Sequence, residues 1–133
     1  MNAWMILADS ASPHQDGTIS MLRAGINRVW AASEPISLKA TLVARVDAEP
    51  SEKGSHEFSI VCVDEDGKDK LPPLKGTFQV PQGGGNSNFL LGLPTQLPNF
   101  GLYSFRLVID RREHASLRLK AERIEAKNAR DKE

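Results

Sequence analysis

Alternation of apolar and polar residues over three segments constrains this chain more than any other feature. From Ile36 to Val46 every second residue is apolar, and the residues between them, Val43 included, are assigned to a polar side. The segments Tyr103 to Ile109 and Ala115 to Ala121 repeat the pattern on either side of a charged turn. A helix would scatter these side chains around its circumference, so the pattern predicts strands with one wet face. The last two segments are predicted to form an antiparallel hairpin.

Turn residues divide the N-terminal part of the chain. Asp16-Gly17 separates a predicted strand at about Ala3 to Ser10 from a second at about Thr18 to Trp30. This dipeptide supplies the positive φ that tight hairpin turns need. Gly25 interrupts the second predicted strand, where we expect a bulge or a change of sheet. Trp4 and Trp30 lie near the ends of these strands and are expected to close the core rather than anchor an interface.

The middle of the chain predicts shorter strands. Phe58 to Cys62 alternates and is followed by the turn dipeptide Asp66-Gly67, whereas Thr77 to Val80 and Phe89 to Leu93 are weaker candidates. Proline cannot donate a hydrogen bond to a neighbouring strand, so it is confined to strand ends, edges and loops. Prolines separate these short pieces at positions 72, 73, 81, 94 and 98.

Together these segments predict an all-β fold. Seven or eight short strands with no convincing central helix indicate a single antiparallel β-sandwich, immunoglobulin-like or C2-like in outline. A chain of 133 residues is long enough for one core, so we expect one domain over residues 3–121. Residues 122–133 are rich in Ala, Glu, Lys and Arg, and predict a short polar tail that is helical or frayed.

Charge and cysteine content limit the compartment and the partners. Seventeen basic residues balance seventeen acidic ones, so no global field would gather nucleic acid or anionic lipid around the chain. Cys62 is the only cysteine and cannot form an internal disulfide, which favours a reducing cytoplasm. The apolar run from Ala3 to Ala8 is shorter than the apolar region of a signal peptide, and no segment is long enough to span a bilayer. We therefore expect a cytoplasmic protein with no membrane partner.

The spacing of Leu97, Pro98, Gly101 and Tyr103 is typical of a tyrosine corner. In that motif a tyrosine at the start of a strand hydrogen-bonds to main-chain groups a few residues upstream. The alternative is that Tyr103 serves as an aromatic binding anchor, but a tyrosine on the inward side of a strand is more often a core residue with a satisfied hydroxyl.

Several motifs together resemble a known family. These are LADSA near the start, DGTISMLRAGINRVW, the VDEDGKD turn, and PNFGLYSFRLVID followed by a strand. They are similar to those of the domain-of-unknown-function family numbered 6941, a group of small bacterial and phage proteins, over about Met5 to Ala121. The resemblance implies an all-β fold and supplies no catalytic residue. One departure is the last hairpin, where a glycine is expected and Arg111-Arg112 stands.

Acidic and glycine-rich loops suggest two alternative ligands. Asp64, Asp66 and Asp69 offer oxygen ligands to calcium, but the segment lacks the bidentate glutamate of an EF-hand, and Asp-Gly already explains a turn. The loop from Gln82 to Asn86 resembles a phosphate cradle, yet it lacks the Lys-Ser/Thr ending and the following helix of a P-loop. A calcium- or phosphate-binding module therefore stays an alternative function.

Catalytic signals are sparse. His14, His56 and His114 lie far apart and lack the spacing of a zinc site. Cys62 falls on the inward side of its strand, and no nucleophile-elbow motif occurs. We therefore expect neither an enzyme nor a cofactor, although a hydrolase built from a histidine with Cys62 or a serine remains a lesser alternative.

The best candidate for a binding surface is basic. Up to five cations lie at outward positions of the last hairpin and at its tip. They are expected to share one face and to bind a protein or an anion. A protein partner or a second copy of the chain fits such a face better than nucleic acid, because no aromatic residue is clearly interleaved with the cations. The candidate binding residues are Arg106, Arg111, Arg112, Arg118 and Lys120.

Overall fold

A computed structural model describes residues 1–124, apart from the side chains at 94 and 95. Within this part of the chain the only helical segment is one 3-10 turn at Pro50–Glu52, and no helix is long and apolar enough to cross a membrane. The remaining elements are ten strands: β1 (Asn2–Ala8), β2 (Ser10–Pro13), β3 (Ile19–Leu22), β4 (Arg28–Ala31), β5 (Ile36–Ala48), β6 (Gly54–Val63), β7 (Asp69–Val80), β8 (Gly85–Leu97), β9 (Gly101–Ile109) and β10 (Arg112–Arg123).

The strands form three sheets. One has the order β1-β5-β8, the second has the order β4-β10-β9-β6-β7, and β2 pairs with β3 alone. The prediction of an all-β chain is confirmed. Two details differ from the prediction: the described residues form ten strands rather than seven or eight, and β4 pairs with β10 in parallel rather than antiparallel.

Both large sheets contribute side chains to one core. The alternation predicted for β5, β9 and β10 is confirmed: their inward residues are buried, except for the half-buried Ala115 and Leu117, while the intervening ones are mostly exposed or half-buried. Burying one apolar face of each sheet against the other provides the main driving force for this arrangement. The largest fully buried side chains are Leu7, Ile36, Leu38, Leu42, Leu97, Leu107, Ile109, Leu119, Val43 and Val46.

The segment predicted as one strand from Thr18 to Trp30 is in fact two strands in different sheets. The Asp16-Gly17 turn lies between β2 and β3, and the chain then leaves that hairpin. Gly25, at φ +97°, donates its N–H to the carbonyl of Leu7 at 2.8 Å. The chain then enters the five-stranded sheet as β4, so the expected change of sheet occurs around Gly25.

The outer side of β5 is less exposed than the sequence predicts. Val43 is 0% exposed although its parity places it on the predicted wet face, so this assignment is wrong. Arg45 and Asn88, which are cross-strand partners on β5 and β8, donate side-chain N–H groups to the carbonyl of Gly17 at 2.9 and 3.1 Å. The β2–β3 hairpin is therefore held by its turn against this side of the three-stranded sheet.

Prolines lie in edge strands, which the sequence allows, but Pro72-Pro73 and Pro94 lie inside long strands and do not separate short ones as predicted. β7, at one end of the five-stranded sheet, contains Pro72-Pro73, and its register with β6 shifts at this point. β8, at one end of the three-stranded sheet, contains Pro94. An edge strand tolerates proline because one side of its backbone has no hydrogen-bonded neighbour.

At the end of the described residues, β10 extends to Arg123, and the N–H of Ile124 donates to the carbonyl of Ala31 at 2.9 Å. Most of the polar tail predicted for residues 122–133 lies outside the described residues.

Candidate functional site

The outer face of the five-stranded sheet carries three of the predicted binding residues. Arg106 on β9 lies opposite Ser116, while Arg118 and Lys120 on β10 lie opposite Ser104 and Leu102. Cross-strand partners point to the same side of a sheet, and the neighbouring residues Tyr103, Phe105 and Leu119 are in the core. The three cations therefore share the side that faces away from the core.

Strand β4 adds Arg28 and Trp30 to this face. Its parallel register places Arg28 beside Lys120 and Trp30 beside Glu122, and the indole N–H donates to the Glu122 carboxylate at 3.0 Å. Trp30 is 44% exposed, so the expectation that it closes the core is wrong. Sequence reasoning did not include Arg28 in the site; its one signal is the alternation Arg-Val-Trp within a strand of four residues.

Two carboxylates lie among these cations. Glu113 is 3.4 Å from the Arg106 guanidinium, and Glu122 is 3.1 Å from the Lys120 ammonium. The hydrogen bond from Lys120 holds the pKa of Glu122 below its usual value. Arg118 lies between these two pairs and has no ion pair within residues 1–124. We call Arg28, Trp30, Arg106, Arg118 and Lys120 the cationic face.

The turn of the last hairpin is tight although it contains no glycine. Asp110 and Arg111 have φ values of 47° and 69°, which is the geometry of a type I′ turn. The Asp110 carboxylate holds this geometry because it accepts the N–H of Glu57 at 3.0 Å and contacts His56 at 2.5 Å. Arg111 and Glu57 line a surface cavity of about 490 Å³ beside the turn.

Arg112 does not share the outward side with the other cations. It is the cross-strand partner of Ile109, whose side chain is in the core. A bulge between Glu113 and Ala115 reverses the parity of β10, so Arg112 leaves the face that simple alternation assigns to it.

His56 connects this turn to the 3-10 segment. Its Nδ1 lies 2.5 Å from the Asp110 carboxylate and its Nε2 lies 2.6 Å from the carbonyl oxygen of Glu52. Both partners are acceptors, so only the protonated imidazolium donates to both. The hydrogen bond to Asp110 is the main cause that raises the pKa of His56.

The predicted metal residues are engaged in a turn. One oxygen of Asp64 accepts the N–H groups of Asp66 and Lys68, both at 2.9 Å, and the bond from Lys68 chiefly lowers the pKa of Asp64. The other oxygen lies 3.4 Å from the ammonium of Lys70. Asp69 begins β7. Across residues 1–124, no three or more His, Cys, Asp or Glu side chains are arranged to hold a metal ion.

Tyr103 is 2% exposed and is bonded to the main chain four residues upstream. Its hydroxyl donates to the carbonyl of Asn99 at 2.6 Å and accepts the N–H of the same residue at 3.1 Å. These bonds hold the crossing from β8, in the three-stranded sheet, to β9, in the five-stranded sheet.

The residues considered for hydrolysis differ in their exposure. Cys62 is 3% exposed, and burial raises the pKa of its thiol to about 11. Ser20 lies 2.6 Å from His14, but both side chains are exposed on the β2–β3 hairpin. A buried thiol resists deprotonation. The His14–Ser20 pair lies in open solvent and lacks the low-dielectric surroundings that strengthen electrostatic stabilisation of a reaction.

The geometry defines an all-β domain with a buried core and a cationic outer face on its larger sheet. Within that class, the chain belongs to the Family of unknown function (DUF6941), whose model matches residues 3–122. A search among curated proteins finds no significant match.

Proposed function

We propose that this protein is a non-enzymatic binding module for another protein, and that it makes contact through the cationic face. The observation that carries the proposal is the position of Trp30, which is 44% exposed and lies on the same side of the sheet as Arg28, Arg118 and Lys120. Tryptophan and arginine are the residue types most enriched at the energetic centres of protein interfaces. The exposed face of a sheet suits an extended contact better than it suits a small molecule, whose binding sites are concave.

The charges on this face favour an acidic protein as the partner. Arg118 has no ion pair within the described residues and is available to a carboxylate of the partner. Glu113 and Glu122 lie among the cations and would repel the continuous phosphates of a nucleic acid. An acidic protein can have carboxylates opposite the cations and none opposite Glu113 and Glu122. A protein surface therefore complements this face better than a nucleic acid does.

The scaffold we propose for this module is a β-sandwich, immunoglobulin-like or C2-like in outline. Support comes from the two large sheets and their shared core, since each sheet buries one face against the other. We also propose a reducing compartment such as the cytoplasm, because the free thiol of Cys62 is in the core and has no cysteine partner.

The test is affinity capture from a nuclease-treated lysate of the source cell, comparing wild type with Arg118→Glu and Trp30→Ser. Capture of one protein by the wild type, with loss in both variants, is the expected result, and the interaction should weaken as salt rises because charge pairing contributes. Lys39→Glu is the matched control, since Lys39 is an exposed cation on β5 of the other sheet.

Circular dichroism establishes that each variant is folded. Retention of the partner by both Arg118→Glu and Trp30→Ser would contradict the proposed face. A partner that is captured from untreated lysate but not from nuclease-treated lysate would show that a nucleic acid, rather than a protein, makes the contact.

A further inference from the structure

Strands β7 and β8 end the two large sheets on the same side of the molecule, and an apolar cleft opens between them. The strands approach each other at Phe78 and Phe89, whose ring centroids are 5.5 Å apart. Beyond this contact lies a cleft of about 370 Å³, with Leu42 and Phe105 of the core among the residues that line it. Its walls include Leu71 and Leu74 of β7 and Leu90 to Leu93 of β8.

β8 is the edge along this cleft that remains open to pairing. β5 occupies one side of it, and no strand within residues 1–124 occupies the other. Its thirteen residues, Gly85–Leu97, contain no ionisable side chain. β7 differs, since it carries Asp69, Lys70 and Lys75 and is interrupted by Pro72-Pro73. Charges and prolines are the usual protection of an edge strand, and the part of β8 from Phe89 to Leu93 has neither.

Pro94 indicates which main-chain groups of β8 face outward. Proline has no N–H, so it suits a position whose backbone points away from β5. Along an antiparallel strand, alternate residues direct both N–H and C=O to the same side. Leu90 and Gly92 have the parity of Pro94, so their N–H and C=O groups point to the free edge.

We propose that β8 pairs antiparallel with β8 of a second copy of this chain, about a two-fold axis at Leu91. In this register Leu90 and Gly92 of the second copy exchange both main-chain hydrogen bonds with Gly92 and Leu90. Phe89 lies opposite Leu93 of the second copy on the side that faces the core. The two three-stranded sheets become one continuous six-stranded sheet, and the interface is isologous.

The surroundings of Gly92 fit this register. A Cβ atom built on Gly92 meets no atom within 4 Å, so there is room for Leu90 of the second copy beside it. Leu74, which is 44% exposed at the cleft, would be covered in the dimer. Like charges that lie opposite each other in paired strands repel, and β8 carries no charge.

The first test is light scattering after size exclusion on the full chain at increasing protein concentration. The expected mass rises from 14.6 kDa toward twice that value. Gly92→Pro removes an edge N–H from each copy and should weaken association tenfold or more, by the cost of lost hydrogen bonds. Gly92→Ala keeps the N–H and should dimerise like the wild type.

A cysteine test checks the register even where the proline variant fails to fold. In the proposed dimer two Leu91→Cys side chains are direct partners at the axis, close enough for a disulfide when oxidised glutathione is supplied. Leu93→Cys is the matched control, because its partner is Phe89 rather than itself. Cross-linked dimer from the first variant and monomer from the second is the expected result.

Other outcomes overturn the proposal. A wild-type chain that remains at 14.6 kDa at every concentration excludes the dimer. A dimer that persists in Gly92→Pro, or that cross-links equally at positions 91 and 93, excludes this edge and register. A dimer lost in high salt or in Arg118→Glu would use the cationic face instead, because pairing through β8 involves no charge.

Discussion

Removing the hydroxyl of Tyr103 gives a direct measure of what holds the crossing between the two large sheets. Tyr103→Phe deletes one oxygen atom, together with its bonds to the N–H and C=O of Asn99. Each such bond contributes about 0.5–1.5 kcal/mol to the free energy of unfolding. Asn99 is exposed, so water can form part of the hydrogen bonds that its N–H and C=O groups lose. We therefore expect a loss of about 1–2 kcal/mol.

The corresponding shift in the thermal midpoint follows from chain length. An entropy of unfolding of about 2.1 cal/mol/K per residue gives about 0.28 kcal/mol/K for this 133-residue chain. The midpoint should therefore fall by about 4–7 °C. Thermal unfolding followed by circular dichroism measures the shift, and urea unfolding gives the free energy independently.

Asn99→Ala is the matched control. It keeps both main-chain groups that Tyr103 contacts and removes only the bond from the Asn99 amide to the exposed Glu34 carboxylate, at 2.9 Å. We expect a loss below about 0.5 kcal/mol. An unchanged midpoint in Tyr103→Phe, or an equal loss in both variants, would refute the reasoning.

Two further predictions concern pH and a glycine. The pKa of His56 is raised, so its contribution to stability is complete below the ordinary value of 6.5 and is lost as pH rises through the folded-state pKa. The pKa of Asp110 is lowered from 3.8, so the contribution of Asp110 is lost as pH falls. Urea unfolding between pH 6 and 9 should show wild type losing more stability than His56→Gln, and parallel curves would contradict this role. Gly84→Ala should lower the free energy of unfolding by about 1–3 kcal/mol, because at φ +77° the new Cβ would lie 2.7 Å from a main-chain carbonyl oxygen. Gly83→Ala is the control, since its new Cβ would meet no atom within 4 Å. Equal thermal midpoints for the two glycine variants would exclude this explanation.

Alternation predicted the long strands because each buries mainly one face. β5, β9 and β10 have their apolar residues at every second position, and a shift by one residue would expose the whole set. Val43 departs from this pattern: it is buried on the side of β5 to which the turn of the β2–β3 hairpin, distant in sequence, is bonded. The pattern of apolar residues along a strand indicates how many of its faces are apolar. It does not indicate which distant segment packs against each face.

The cationic face was predicted in part for the same reason. Arg106, Arg118 and Lys120 follow simple parity, so sequence alone places them together. Arg112 does not, because the bulge after Glu113 adds a residue to β10. Trp30 was missed because its neighbour Glu122 is 92 residues away, and nothing local in a four-residue strand specifies a parallel partner.

The position of β10 has a consequence for synthesis on the ribosome. β10, the last strand of the described residues, lies inside the five-stranded sheet, between β4 and β9. β4 emerges early from the ribosome but has no neighbour in its sheet until β10 has been translated. Pairing of such distant segments closes a long loop and is intrinsically slow. The larger sheet is therefore completed only after residue 123 has left the ribosome, and the nascent chain must keep β4 and its flanking apolar residues from other contacts until then.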